Sequence, residues 1–256
     1  EIPCAVQLFG CEPEMMAAQA RRLVEQYCGQ IALFDINMGC PVTKVVAKGE
    51  GSALMREPAA AAAIVRAVAD AVYVPVTAKT RSGWTAGEEN AVEVALALEE
   101  AGAAAVGVHG RTRDQHYHGR ADWSVIARVK AAVGVPVLGS GDVFSADDVV
   151  RMFAETGVDA VMVARGAQGN PWIFREARAL LDTGTALPRP SMGERIATAR
   201  EHAAALVDFA GERAVVRMRK HVAWYLAEMP GASYARERVN SVTTYAELSA
   251  LLDEYA

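Results

Sequence analysis

Six short apolar runs in this chain each end in a polar residue: Gln7, Asn37, Lys79, His109, Asp142 and Arg165. Three residues past Asn37 stands Cys40, within Asn37-Met38-Gly39-Cys40-Pro41, on a loop that proline stiffens. A thiol of ordinary pKa, about 8.5, keeps its proton at neutral pH, so at such a place it can donate that proton to a carbanion-like centre. A small residue packed into a turn is the commoner fate of a lone cysteine, but Asn37 and Pro41 on either side favour chemistry. Lys79 and Arg81 lie in Thr77-Ala-Lys-Thr-Arg-Ser-Gly. An ammonium is costly inside a strand core but fits a strand mouth that faces an anion. An exposed loop lysine is the plain alternative, and the residue alone does not decide between them. His109 opens His109-Gly-Arg-Thr-Arg113, followed by His116, His118 and Arg120. We read His116 and His118 as solvated loop residues, and no carboxylates stand near at the spacing a metal site needs.

Two further strand ends are glycine-rich: Gly139-Ser-Gly-Asp142 and Ala164-Arg-Gly-Ala-Gln-Gly169. Backbone amides in such loops, ahead of a helix N-terminus, form a phosphate cradle. Barrels of alternating strands and helices often place phosphate at their last two strands. The chain contains no Gly-x-Gly-x-x-Gly fingerprint and no P-loop, which argues against a separate dinucleotide domain.

These residues need strands to carry them. Strands are predicted over 5–9, 33–37, 74–79, 105–109, 136–140 and 160–165. Alanine-rich helices are predicted between and after them, over about 14–28, 58–71, 87–101, 122–133, 145–156 and 170–182. Alternation with strands apolar on both faces predicts a parallel sheet in an α/β protein. The loaded strand ends recur at close to one βαβ step each, roughly 30 residues. A doubly wound sheet gathers its ligand at a single crevice, so six loaded ends favour closure into a TIM (β/α)8-type barrel. Only six strands can be identified where such a barrel has eight. The expectation is that the first two βα units are absent from this chain. An open six-stranded sheet would leave two apolar edges unpaired. After Leu181 the composition changes: 184–191 reads as a linker with turn formers and two prolines. From Met192 the pattern is helical, over 192–210, 212–227, 232–240 and 244–255, the last opened by Thr244 with Glu247 three residues on. The expected organisation is a barrel over 1–183, the linker, and a small all-helical C-terminal domain over 192–256.

At 256 residues, with 52% hydrophobic residues, the chain has ample core for one large domain or a barrel with an appendage. The net charge of −5 argues against broad, nonspecific nucleic-acid binding, though not against a local basic patch. No run is long enough to span a membrane, and the first residues lack the plan of a signal peptide, so the expected location is cytoplasmic. Cys4, Cys11, Cys28 and Cys40 form no Cys-x-x-Cys pair. Buried free thiols are expected rather than a Cys4–Cys11 disulfide.

Taken together, the stretches VQLFG (6–10), DINMGCPV (35–42), GSALM (51–55), PVTAKTRSGW (75–84), VHGRTRDQHYHGRADW (108–123), GSGDV (139–143), ARGAQGNPWIF (164–174) and RKHVAWYL (219–226) resemble the flavin-dependent tRNA-dihydrouridine synthases, bacterial B-type branch. The resemblance covers nearly the whole chain and is specific in combination. It implies an FMN-containing barrel with a helical tRNA-binding domain. It also implies reduction of the C5–C6 bond of particular tRNA uridines, with NADPH regenerating the flavin. By position, the resemblance makes Cys40 the acid that protonates C5 while hydride reaches C6. Asn37, Arg81 and Arg111 become substrate contacts. Gln7, Lys79, His109, Ser140, Gly141, Asp142, Arg165 and Gly166 become the flavin site. Ser140 stands where the family usually has Asn, and the family's Pro-Met strand that packs on the flavin ring has no counterpart here.

Lys44, Lys48, Arg111, Arg113 and Arg120 offer a local basic rim for RNA. Neither a metal nor a stable protein partner is expected. Two other readings stand beside this one: a redox-inactive tRNA-binding factor lacking the flavin-packing strands, and a flavin barrel that reduces a small metabolite. The helical tail argues against the latter.

Overall fold

The computed structural model describes residues 2–227 and 229–255. In chain order its elements are β1 (Cys4–Leu8), α1 (Pro13–Gln26), β2 (Ile31–Asn37), α2 (Thr43–Val46), a 3-10 turn (Gly51–Arg56), α3 (Pro58–Ala71), β3 (Val76–Arg81), α4 (Ala91–Glu100), β4 (Ala105–His109), α5 (Trp123–Ala132), β5 (Val137–Ser140), α6 (Ala146–Thr156) and β6 (Ala160–Met162). A 3-10 turn (Arg165–Ala167) and helices α7 (Ile173–Thr183), α8 (Met192–Ala210), α9 (Val215–Tyr225), α10 (Ala232–Val239) and α11 (Tyr245–Asp253) follow.

All six strands pair in parallel, in the order β1-β2-β3-β4-β5-β6. A doubly wound sheet reverses its strand order once; this sheet never does. With right-handed crossovers throughout, an unreversed order places successive helices on one face. Accordingly α1 packs on α3, α3 on α4 and α4 on α5. Pro13 and Pro58 occupy first-turn positions of α1 and α3, where a missing N–H costs nothing. The side chain of Asp122 caps α5 by accepting from the Ser124 amide.

Between sheet and helices lie Phe34, Ile36, Ile64, Leu98, Ile126 and Met152, each fully buried. Each such side chain contributes roughly 1.5–3 kcal/mol by leaving water. Burial is uneven along the sheet. β2 to β5 are largely covered, whereas in β1 Cys4, Ala5 and Gln7 are exposed and Val6 and Leu8 only half-buried. Beside that edge Ile2, Phe9 and Met15 are each more than 60% exposed.

The chain divides into two compact units, one running to Val143 and including Asp148–Val163, the other comprising Phe144–Asp147 and everything from Ala164 onward. The second unit has its own core, in which Ile196, Met218, Val222, Leu226, Leu251 and Leu252 pack together and Trp172 and Leu206 lean on them. Residues 185–190 carry no regular structure. The predicted Thr244–Glu247 capping box opens α11, and a second, Ser191 with Glu194, opens α8. Among the described residues no helix is long and apolar enough to cross a membrane.

Two expectations need correction. The last strand ends at Met162, not Arg165, and Arg165 lies in the 3-10 turn beyond it. The cysteines are free, but none is buried: Cys4 and Cys28 are exposed, Cys11 and Cys40 intermediate.

Candidate active site

Strand register decides which polar groups meet. Asn37 stands opposite Lys79, Lys79 opposite Gly107, Arg81 opposite His109, and His109 opposite Ser140. Four strand ends therefore carry adjoining polar residues at one end of the sheet.

Asp35 anchors the first part of this row. Its carboxylate accepts from Gln7 Nε2 at 2.8 Å and from Thr77 Oγ1 at 2.8 Å. With its amide nitrogen so engaged, Gln7 turns its carbonyl to accept from Asn37 Nδ2 at 3.0 Å. Asn37 Oδ1 is then left to accept the backbone N–H groups of Gly39 (3.1 Å) and Cys40 (3.0 Å). A carboxylate can only accept, so this chain of bonds has one polarity, running from Asp35 to the Cys40 loop.

The loop is held from other sides as well. The Cys40 carbonyl accepts from the Ser52 hydroxyl (2.8 Å) and the Ser52 amide (3.1 Å). Met38 N–H donates to the Lys79 carbonyl at 2.8 Å, and Arg81 Nε donates to the Gly39 carbonyl at 2.8 Å. Gly51 takes φ +60°, and a Cβ there would lie 2.9 Å from the Cys40 carbonyl oxygen, so only glycine fits. Cys40 thus sits half-buried on a backbone with little freedom.

Lys79 occupies a notch. A Cβ at Gly107 on the next strand would come within 2.5 Å of Lys79 Cδ. Burial first, then the nearby Arg81, lowers the ammonium pKa to about 8, against the pull of Asp35. His109 is pushed down to about 3, by burial first and then by Lys79, Arg81 and Arg111, with Asp142 opposing. It is therefore neutral across the physiological range. Gly141, at φ +114°, leaves space for its ring: a Cβ there would meet His109 Cδ2 at 2.6 Å.

Two arginines brace the mouth from beneath. Arg81, 3% exposed, donates through Nη1 to the carbonyls of Thr112 and His116, each at 3.0 Å. Its guanidinium lies 5.8 Å from the ring centre of Tyr117, whose ring is 6.5 Å from that of His109. Arg111, 2% exposed, donates to the Gly119 and His118 carbonyls and pairs with Asp142 at 2.8 Å. Asp142, itself at φ +54°, also accepts from the Ala121 amide. Trp123 Nε1 donates to the Gly141 carbonyl at 2.9 Å. Ser140 is buried at the end of β5 and accepts from the Gly110 amide through its carbonyl.

The first unit thus brings together Gln7, Asn37, Cys40, Lys79, Arg81, His109, Arg111, Ser140, Gly141 and Asp142. Arg165 and Gly166 belong to the second unit, where the Arg165 guanidinium lies 5.4 Å from the centre of the Phe144 ring. His116 and His118 contribute through their carbonyls, which hold the two arginines, rather than through imidazole. Asp35 and Thr77 were not among the residues singled out from sequence, yet their alternation with Asn37 and Lys79 along β2 and β3 puts them on the same strand face. Ser52 and Tyr117 carried no comparable signal. Among the described residues no three His, Cys, Asp or Glu side chains are grouped to hold a metal ion.

The family model for dihydrouridine synthases matches residues 1–256. A Synechocystis protein named "Probable tRNA-dihydrouridine synthase 1" is 44% identical over 254 residues, which cover 99% of this chain and 71% of that protein. Proteins named tRNA-dihydrouridine synthase B are 44% identical in Xanthomonas axonopodis pv. citri, over 99% of this chain and 76% of theirs, and 46% identical in Pseudomonas aeruginosa, over 93% and 71%. The chain belongs to the dihydrouridine synthase family.

Proposed function

We propose that this protein reduces specific uridines of tRNA to 5,6-dihydrouridine in the cytoplasm, using FMN held at the strand ends and NADPH as reductant. The observation that carries this reading is the Cys40 loop, fixed by Asn37, Ser52 and Arg81 beside a strand end that presents Lys79 and a neutral His109.

The residues present fit a flavin. Gly107 and Gly141 leave room that any Cβ would fill, which keeps Lys79 and His109 in place for a flat ring. The adjoining carboxylates, Asp35 and Asp142, are already bonded to protein donors, so the mouth presents positive and neutral groups to a ring that becomes anionic on reduction. Gln7, Lys79 and His109 would hold the ring, and Ser140, Gly141 and Asp142 its ribityl and phosphate end. When bound there, FMN supplies the hydride that C6 of the uracil receives, and NADPH replenishes it.

The chain's own residues do the rest. Cys40 gives its proton to C5, where charge accumulates as the double bond is lost. Arg81 keeps Nε and Nη1 on carbonyls, and among the described residues no bond engages Nη2, which is left to donate to a uracil carbonyl. Asn37 has one amide hydrogen beyond its bond to Gln7 for the same purpose. Arg111, 3.4 Å from His109 through Nη1, adds positive potential on the substrate's side. The uridine must leave its stack to reach this site, which costs a few kcal/mol.

We also read the six strands as part of an eight-stranded barrel, with two more βα units pairing along the uncovered edge of β1. Residues 192–256, after the linker 184–191, are read as the tRNA-binding domain. A groove of about 600 Å³ in the second unit supports this, lined by His202, Arg217, Lys220, His221, Arg236 and Asn240 without a carboxylate.

The test is direct. Full-length protein incubated with unmodified tRNA and NADPH should generate dihydrouridine, detected by mass spectrometry of the nucleosides. Cys40→Ala should slow the reaction roughly 10²–10⁴-fold. Full turnover by that variant would remove Cys40 from the mechanism, and wild-type protein that binds tRNA yet neither carries flavin nor reduces uridine would overturn the assignment.

A further inference from the structure

Two arginines of the first unit share one indole. The guanidinium carbon of Arg56 lies 5.0 Å from the centre of the Trp84 ring, and that of Arg113 lies 4.7 Å from the same centre. Neither makes an ion pair among the described residues, and Arg113 Nε is buried without a hydrogen-bond partner. Two like charges gathered on one ring repel each other. In an acidic chain, nearby carboxylates would be expected to neutralise them. Instead Glu88 accepts from the Thr85 hydroxyl, Glu89 from the Gly87 amide and Asp114 from the Thr112 hydroxyl, and Glu57, next to Arg56 in the chain, pairs with neither arginine.

The pair is also rigidly tied to Arg81. Arg56 directly follows Met55, whose sulfur accepts the Arg81 amide at 3.2 Å, and Arg113 directly follows Thr112, whose carbonyl accepts Arg81 Nη1. The Arg113 amide donates to the Gly83 carbonyl (2.9 Å) and the Asp114 amide to the Trp84 carbonyl (3.2 Å), so the main chains of the loops after β3 and β4 are joined at Trp84 and the residue before it.

We propose that Arg56, Trp84 and Arg113 form a clamp for the RNA backbone, binding the phosphodiesters next to the nucleotide that Arg81 addresses. Guanidinium forks match phosphate oxygens in a bidentate fashion and keep their charge at any physiological pH. Trp84 holds both forks in place by cation–π contact, so little side-chain freedom is lost when the RNA arrives. An extruded uridine needs its flanking phosphates held in register, and a clamp bonded through Met55 and Thr112 to Arg81 meets that need. This inference rests on the tRNA reading above and names a binding site for the same substrate.

The experiment is a salt titration of tRNA binding to the full chain, followed by fluorescence anisotropy, for wild type, Arg56→Gln/Arg113→Gln and Arg56→Lys/Arg113→Lys. The glutamine pair should bind at least about tenfold more weakly near physiological salt. Its log–log salt slope should be shallower by about 1.4, the worth of two single-strand phosphate contacts. The lysine pair, which keeps the charge, should retain most of the slope; thermal midpoints within a few degrees of wild type establish that the variants fold. Unchanged affinity and slope in the glutamine pair would overturn the clamp and leave the tRNA reading standing. A raised KM for NADPH with tRNA affinity intact would overturn it too, because the site would then serve the reductant's phosphate. Wild-type protein without affinity for tRNA would overturn the functional reading itself, and the clamp with it.

Discussion

The arginines of the candidate site and those of α7, α8 and α10 are used in opposite ways. In the first set, Arg81 and Arg111 are almost wholly buried, and their donors are taken up by main-chain carbonyls and by Asp142. In the second, Arg178 is exposed and Arg200 and Arg238 are half-buried, and they pair with Asp182, Asp253 and Glu254. Desolvating a guanidinium is expensive, and a fold keeps one buried only when several acceptors converge on it. The difference teaches where to look for chemistry: at cations that the fold supports at high cost, rather than at those water would support unaided.

That contrast can be broken by measurement, beginning with the largest effect. Arg81→Met should lower stability by about 3 kcal/mol, since it strands the carbonyls of Gly39, Thr112 and His116. The loss would be read from the midpoint of urea denaturation, and a change below 1 kcal/mol would mean water replaces the guanidinium.

A change of pH should come next. His109 in the folded protein protonates only at about pH 3, against an ordinary value near 6.5, so the unfolded chain takes up that proton first as the pH falls. Stability is therefore intact above pH 6.5 and declines between 6.5 and 3, by an amount on the order of 2 kcal/mol once solvent screening is allowed for. Lys79 acts in the same direction at higher pH: its folded value of about 8 lies below the ordinary value, so stability should rise as pH climbs from 8 towards 10.5. His109→Gln should flatten the acid limb alone; an identical limb in that variant would place the titration elsewhere.

The smallest effect belongs to the second unit. Arg178→Ala removes an exposed i,i+4 pair with Asp182 and should change stability by less than about 0.5 kcal/mol. A loss approaching that of Arg81→Met would erase the distinction drawn above.

Much of this arrangement could be read before any coordinates. Apolar runs ending in Asn37 and His109 marked strands and their ends, whereas the runs to Gln7 and Lys79 marked strands that continue to Leu8 and Arg81. Arg165 was misplaced for an equally physical reason. The run Ala160-Val-Met-Val-Ala looks like continuing strand, but the backbone leaves the sheet after Met162, and only pairing with β5 reveals where. The arginines of Arg111-Thr-Arg113 show the limit most clearly. As letters they are equivalent, and register alone sends one to Asp142 and the other to Trp84. Asp35 was overlooked inside an apolar run, although its alternation with Asn37 announced a shared face.

Gly107 carries a lesson beyond its size. Its missing methyl group is the space into which Lys79 folds from the neighbouring strand. The address of a positive charge is thus written in a residue that bears none, about one βαβ step further along the chain. A survey of the ionisable side chains alone would catalogue the ammonium and overlook the vacancy that aims it.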